Sequence, residues 1–597
     1  MDRNSAIGLT LIAVLLLIYF NFLAPQPPAE TGAPVAQTLA PADTTVRITP
    51  DGSDTTAFVS QPAQEEKLTR IETNDLVLTF SNRGGVLKEV ELKKFKTYYQ
   101  KPLLLISERS NAFRLMAAVD GKDVDLYALY YNAESVTSGD STIVTFTTFV
   151  GEGKVVKNVY RIPGSGYGFK YHLQTSGLAG SINGDNLTFT WTDFIPPQEK
   201  DINDSRTKST INYYLADGDF DGLSGASNDP QSELLADPIK WVSIRQKFFN
   251  SAIIAQRQFT GGEVSAHVNV ADTTIVKTAN VILRIPKADV VDNKASFTYF
   301  FGPNDYKIIT NVTEGFEKNL DLGWPPVVWV NKYAIIPIFH FLEQFIGNYG
   351  VIIMILVVII KLILTPLSYT SYLGMAKMRL LKPELDLIKE KNGDNMAQTQ
   401  QDQMKLYQQA GVNPFSGCIP LLLQMPILFA MFYFFPVSVE LRQQPFLWAE
   451  DLSTYDSIMN LPFTIPFYGS HVSLFVLLMT ASTLAYTWQN NQMTSVTGPM
   501  KSLSYIMPVV FMFVLNTFSA GLSFYYFISN LVTFAQQAII KRFVDEDKIK
   551  AIMEDHKKKM LSGGGAGKSK FMTKLEEAMK ASEEARRASD EARKKKK

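Results

Sequence analysis

The sequence predicts a multi-span α-helical membrane protein with an all-β domain inserted after its first span. Three observations predict this. Residues 348–369, NYGVIIMILVVIIKLILTPLSY, form a nearly unbroken apolar stretch, about the 20 residues a helix needs to cross a bilayer. Roughly the last 250 residues repeat such blocks, and the first 23 contain one more. Between them the sequence alternates in short runs separated by Gly, Asn and Asp, the pattern of strands and turns.

Composition narrows the chemistry. The chain has 597 residues, is 46% hydrophobic, and its formal charge of zero conceals an uneven distribution. A single cysteine, Cys418, excludes intramolecular disulfides and Cys-based zinc clusters. The five histidines have no metal-ligand spacing, so no metal and no cofactor is expected. Gly565-Ala566-Gly567-Lys568-Ser569 lacks the first glycine of a phosphate loop, since Ser562 stands there, and no strand precedes it. Gly222-Leu223-Ser224-Gly225 lies in a polar loop and reads as a turn.

Residues 1–24 hold an apolar run longer than a signal-peptide core, with no small-residue cleavage site after it. They are expected to be a retained transmembrane anchor. Residues 25–68 are rich in Pro, Ala, Thr and Gln and read as a flexible linker. Residues 69–310 are expected to form a β-sandwich, with strands over 76–80, 86–95, 142–150, 154–162, 169–174, 187–191, 277–285 and 296–301. Within 325–347, Ile335, Ile336, Phe339, Leu342, Phe345 and Ile346 recur at helical spacing, with Trp324 and Trp329 just before. This predicts an amphipathic helix lying in the membrane interface.

Residues 348–541 are expected to form a five-helix core, giving six transmembrane helices with the anchor. Its spans are 348–369, 418–437, 472–488, 503–518 and 522–540. A helical hairpin over 371–417 interrupts it, carrying an apolar stripe of Met375, Met378, Leu381, Leu385 and Ile388. Residues 542–597 form a basic tail with a glycine break at 563–565. Orientation follows from the basic residues. The hairpin carries Lys377, Arg379, Lys382, Lys389, Lys391 and Lys405, whereas the loop 438–470 has only Arg442. The hairpin and both termini are therefore expected in the cytoplasm, and the β domain outside.

Polar residues within the spans mark the candidate site. Lys361 lies about seven residues, or ~10 Å, from the cytoplasmic end of its span. A charge there costs roughly 2.5–3.5 kcal/mol on insertion scales, so it is expected to face a cavity rather than lipid. Gln424 falls at a similar depth in the next span. Thr365, Asn516, Thr517, Asn530 and Gln536 complete the set. One cation among amides and hydroxyls provides no acid–base pair, nucleophile or metal set. It suits binding of acidic or polar chain segments rather than catalysis, so an enzyme is not expected.

Four segments then point to a family. Residues 374–385 (GMAKMRLLKPEL), 412–427 (VNPFSGCIPLLLQMPI), 438–446 (SVELRQQPF) and 521–537 (GLSFYYFISNLVTFAQQ) closely resemble the bacterial YidC membrane protein insertases of the YidC/Oxa/Alb group. Residues 241–249 (WVSIRQKFF) resemble a segment of that family's periplasmic domain. The resemblance implies a Gram-negative inner-membrane protein with a large periplasmic β-sandwich. It also implies a hydrophilic groove open to the cytoplasm and lipid. Its implied partners are nascent membrane proteins and the Sec translocon, with an additional chaperone role. The family's groove arginine falls on Lys361, which keeps the charge but lacks the planar fork. A groove aromatic falls on Thr517. The basic tail resembles ribosome-binding tails of relatives. A secondary transporter for a small anion, with Lys361 as counter-ion, is the alternative, but neither a repeat of the spans nor a second intramembrane charge accompanies it. A scaffold whose β domain binds glycans is a third reading, for which no paired carboxylates or aromatic platform stand out.

Overall fold

The computed structural model describes residues 64–393, 395–413, 419–493 and 499–561. The expected anchor, most of the linker, Cys418, the stretch 565–569 and the tail beyond 561 lie outside them. The chain divides into two compact units. Among the described residues, one comprises those up to Gly323 together with Phe432–Thr454; the other comprises those of Trp324–Met431 and those from Tyr455 to Leu561.

The first unit is built of antiparallel strands. A nine-stranded sheet runs in the order Phe220–Gly222, Thr210–Leu215, Ile239–Arg245, Phe249–Phe259, Ser296–Pro303, Gly168–Ser176, Lys154–Pro163, Ser141–Gly151, Asn132–Ser138. A six-stranded sheet runs Gln231–Leu235, Gly262–His267, Lys277–Pro286, Asn186–Ile195, Asn111–Val119, Lys122–Asp125. Leu68–Glu72, Leu76–Ser81, Val86–Lys96 and Pro102–Ile106 form a third sheet. All eight strands read from alternation are present. The alternation has a direct cause: Asn186–Ile195 pairs with Lys277–Pro286 residue for residue, and each sends every second side chain inward. Leu187, Phe189, Trp191, Val281, Leu283 and Ile285 thereby enter one core shared by the three sheets.

The turn at Asn82-Arg83-Gly84-Gly85 depends on its glycines. Gly84 has φ +82°, and a Cβ there would collide with the Tyr127 carbonyl oxygen. The Gly84 carbonyl accepts from Asn158 Nδ2 at 2.9 Å, and Gly85 accepts from Tyr160 Oη at 2.8 Å, so the turn is held by buried polar groups.

The second unit is helical. It opens with α1 (Pro325–Val330), a π turn over Asn331–Ile335, and α2 (Ile336–Glu343). Ile335, Ile336, Phe339 and Leu342 of the expected stripe are buried. Phe345 departs from it: it is exposed, as are Trp324, Trp329, Tyr333 and Phe341. His340, which falls between the stripe residues in sequence, is buried, and its Nδ1 lies 3.1 Å from a Glu343 carboxylate oxygen.

The long apolar stretch is not one helix. It forms α3 (Tyr349–Ile363) and the start of α4 (Thr365–Leu380), bent by 62° at the break. Pro366 is the cause: it has no amide hydrogen to continue the ladder of α3, and it sits in the first turn of α4, where none is needed. Among the described residues no single helix is long and apolar enough to cross a membrane; α3 and α4 pass that test together, as a bent pair. The hairpin shows a second proline break. Its stripe is split between α4 and α5 (Lys382–Asn392), with Pro383 in the first turn of α5.

Helix α6 (Met396–Gln409) returns along the hairpin. Then follow α7 (Ile419–Phe434), a two-stranded hairpin of Met459–Ile465 and Gly469–Val472, α8 (Leu474–Met493), α9 (Pro499–Leu515) and α10 (Ala520–Phe543). The last described helix, α11 (Glu546–Leu561), falls in the stretch read from the sequence as a charged, basic helical tail. It is packed: Ile549 and Met553 are buried with Met375, Met378, Leu381, Leu385, Leu406 and Ala410.

Candidate functional site

The bend after α3 determines the local chemistry. A helix end leaves its last carbonyls without intrahelical donors. The Lys361 carbonyl is one of these. The Thr365 hydroxyl donates to it at 2.9 Å, and Gln536 of α10 donates to it through Nε2 at 3.2 Å. The same Nε2 donates to Thr365 Oγ1 at 2.9 Å. The Lys361 side chain is only 7% exposed, and its Nζ donates to Gln424 Oε1 of α7 at 3.3 Å.

Four of the expected residues are therefore drawn together: Lys361, Thr365, Gln424 and Gln536, contributed by α3, α4, α7 and α10. No salt bridge reaches Lys361 among the described residues, and one of its three N–H donors is used. A buried cation held by a neutral amide retains its attraction for an incoming carboxylate or carbonyl. That is a binding chemistry.

The other three lie elsewhere. Asn530 of α10 donates to Ser482 Oγ and Thr483 Oγ1 of α8, both at 2.9 Å. About two turns further on, Gln489 donates to Gln537 at 3.0 Å. These bonds join α8 to α10, and the polar residues inside the span 472–488 were the available signal for them. Asn516 is fully buried and makes no bond to the Lys361 cluster. It donates to the Tyr468 and His471 carbonyls, each at 2.8 Å, and accepts from Ser473 N–H at 3.0 Å. Asn516 thus secures the two-stranded hairpin to the start of α8, and Thr517 beside it is exposed. Asp456, which sequence reasoning missed as a structural group, accepts from Leu474 N–H at 2.9 Å and Phe475 N–H at 3.1 Å. It caps α8 from outside the helix.

On the hairpin, Lys377 is half-buried and Lys382 exposed. Arg379 pairs with Glu546 of α11, and Lys557 of α11 reaches both Glu384 oxygens at 2.7 Å.

A β unit joined to a helical unit whose bent apolar pair passes the test for a span, with a buried lysine that has no ion-pair partner among the described residues, fits a membrane protein with an extramembrane β domain. Two family models match the chain: "YidC periplasmic domain" over residues 68–334 and "60Kd inner membrane protein" over residues 341–548. The protein named membrane protein insertase YidC in Amoebophilus asiaticus is 43% identical over 592 residues, covering 98% of this chain and 99% of its own length. Its namesake in Cytophaga hutchinsonii is 45% identical over 606 residues, covering 97% and 98%. A crystal structure described as an active YidC insertase with its first transmembrane domain resolved is 20% identical. It covers 80% of this chain and 93% of its own, with a TM-score of 0.32. The chain belongs to the YidC membrane protein insertase family.

Proposed function

We propose that this protein inserts and folds nascent integral membrane proteins in the bacterial inner membrane, alone or with the Sec translocon. It crosses the membrane six times, with the β domain in the periplasm and both termini in the cytoplasm. A hydrophobic client segment passes along the lipid-facing mouth of a groove. The client's short polar tail enters the groove from the cytoplasm, drawn by Lys361. The hairpin with Lys377, Arg379 and Lys382 receives the chain first, and the basic tail holds the ribosome near.

The observation that carries this reading is the Lys361 cluster. Burying a lysine without a counter-charge is costly, and a site that retains the cation has use for it. The relatives' shared name and their coverage of nearly the whole chain support the same reading. No step requires a bond to be made or broken.

Site-specific photo-crosslinking tests it. Probes at Lys361, Gln424 and Gln536 are presented with a ribosome-stalled single-span nascent chain, and a probe at Ile359 serves as control. Adducts from the first three positions and not from the last are expected. Adducts from none of them, together with normal growth on Lys361→Ala, would overturn the reading and restore the anion transporter.

A further inference from the structure

Two of the sequence motifs belong neither to the Lys361 cluster nor to the helical hairpin. One is WVSIRQKFF at 241–249, in the β domain. The other is SVELRQQPF at 438–446, in the connection between α7 and α8. They meet within the first compact unit. Arg442 is 6% exposed. Its Nε donates to Glu199 Oε1 at 2.9 Å and its Nη2 to the Lys96 carbonyl at 2.6 Å. The guanidinium lies over the rings of Phe249, at 5.1 Å, and Phe248, at 5.8 Å. Gln443 donates to the same Lys96 carbonyl at 3.1 Å, from a backbone with φ +58°. Lys247 donates to the Ser453 carbonyl at 3.3 Å while pairing with Asp204 at 2.7 Å. Val439 is a member of the β-domain core. The part of the connection up to Thr454 is thus folded as part of the β domain.

The chemistry chosen for this contact is informative. A loop that only needed covering would be held more cheaply by apolar side chains, because a buried ion pair repays little of its desolvation. An arginine with donors directed at a carboxylate and a carbonyl, stacked on two rings, fixes one position and one orientation. The chain passes between the two compact units after residues 323, 431 and 454. Two of these three passages are the ends of the segment 432–454: the first falls within the last turn of α7, and the second leads through the two-stranded hairpin to α8.

We propose that Arg442 is a positioning residue: through Glu199 it makes the β domain the fixed anchor of α7, the helix that brings Gln424 to Lys361. The β domain is then a brace for the candidate site, whatever else it does. The argument rests on the insertase reading only for one of the three readouts below.

The test uses the full chain in lipid nanodiscs. Spin labels are placed at Val358 of α3 and Met425 of α7, both partly exposed, in a Cys418→Ser background. Arg442→Ala is expected to broaden the distance distribution about twofold, and to speed thermolysin cleavage at Phe446–Trp448 by about tenfold or more, since cleavage follows the open population. Client adducts from Gln424 fall in parallel. If Arg442→Ala does not fold, Arg442→Met with Glu199→Met replaces it. That pair is expected to restore folding and to keep the broad distribution, because apolar packing lacks direction. The charge swap Arg442→Glu with Glu199→Arg is expected to narrow the distribution again. Accelerated cleavage with an unchanged distance distribution would overturn the proposal, reducing the clamp to a local loop contact. So would a narrow distribution in the apolar pair. Loss of client adducts in every protein, wild type included, would refute the insertase reading and leave the distance result standing.

Discussion

Replacing Lys361 with methionine separates attraction from architecture. The side chain is buried, its single hydrogen bond goes to a neutral amide, and no carboxylate pairs with it among the described residues. A client carboxylate arriving about 6 Å from Nζ gains ~3 kcal/mol at an effective dielectric constant of ~20, and salt screens a buried charge weakly. Part of this is lost in desolvating the carboxylate. A net ~1.5–3 kcal/mol corresponds to about 10- to 100-fold in rate. The variant itself should remain folded. It sheds an insertion cost of roughly 2.5–3.5 kcal/mol and leaves the Gln424 carbonyl oxygen without its donor, at about 1–3 kcal/mol. These offset. The assay is protease protection of a single-span client, synthesised in a cell-free system with proteoliposomes, bearing either one Asp or one Asn in its short translocated tail. Lys361→Met should slow the Asp client 10- to 100-fold and the Asn client little, and Lys361→Arg should restore the difference. Equal slowing of both clients, or slowing of neither, would refute the attraction argument.

Three further outcomes follow from other parts of the molecule. Asn516→Leu removes three hydrogen bonds that secure the two-stranded hairpin; a loss of about 2–4 kcal/mol is expected, seen as a lower melting temperature in detergent and faster cleavage near Phe467. Ile549→Asp should release α11, because the apolar contact with the hairpin is buried. Hydrogen exchange over Glu546–Leu561 would then accelerate, whereas Lys557→Ala should cost under about 1 kcal/mol because that ion pair is partly exposed. In the β domain, burial pushes the Lys277 ammonium down to about 8, and it donates to the Ser209 and Gly225 carbonyls. A base whose folded value lies below its unfolded value leaves the unfolded chain holding more protons between the two, so stability rises with pH there. From pH 7 to pH 9.5 the gain is about 2 kcal/mol. It should appear as a higher protection factor in the strand Lys277–Pro286, once the base-catalysed rise of the intrinsic exchange rate is divided out, and Lys277→Met should remove that pH dependence.

Six of the eight strands were legible because each has one face in the core and one outside; Leu76–Ser81 and Ser296–Pro303 are buried nearly throughout, and their short apolar runs between turn residues marked them instead. Ile239–Arg245 and Phe249–Phe259 were not legible. Their buried residues run consecutively, so no alternation exists to read. The apolar length of 348–369 was legible, but its bend was not, because apolarity dominates such a stretch and Pro366 is a single residue within it. Matching depths put Lys361 and Gln424 at one level, and the two are joined by a hydrogen bond. Depth could not reveal that Gln536 bonds the Lys361 carbonyl, since that carbonyl is free for it only because the helix ends. Asn516 resembled a groove residue by composition; its partners are loop carbonyls, which leave no trace in side-chain pattern. In α11 the buried pair Ile549 and Met553 is too short a stripe to stand out among charges.

What the residue order carries is local and periodic: which segments are apolar, which alternate, where prolines interrupt, and where a charge stands in an apolar run. Those properties follow from backbone geometry and transfer energies acting over a few residues, and they suffice for the elements, the candidate cation and the family likeness. The partners are another matter. Arg442 and Glu199 are 243 residues apart, and Gln536 is 171 from Thr365. Such pairs form only where independently folded segments are packed against each other. Their energies depend on burial, which exists only once the chain has closed around them.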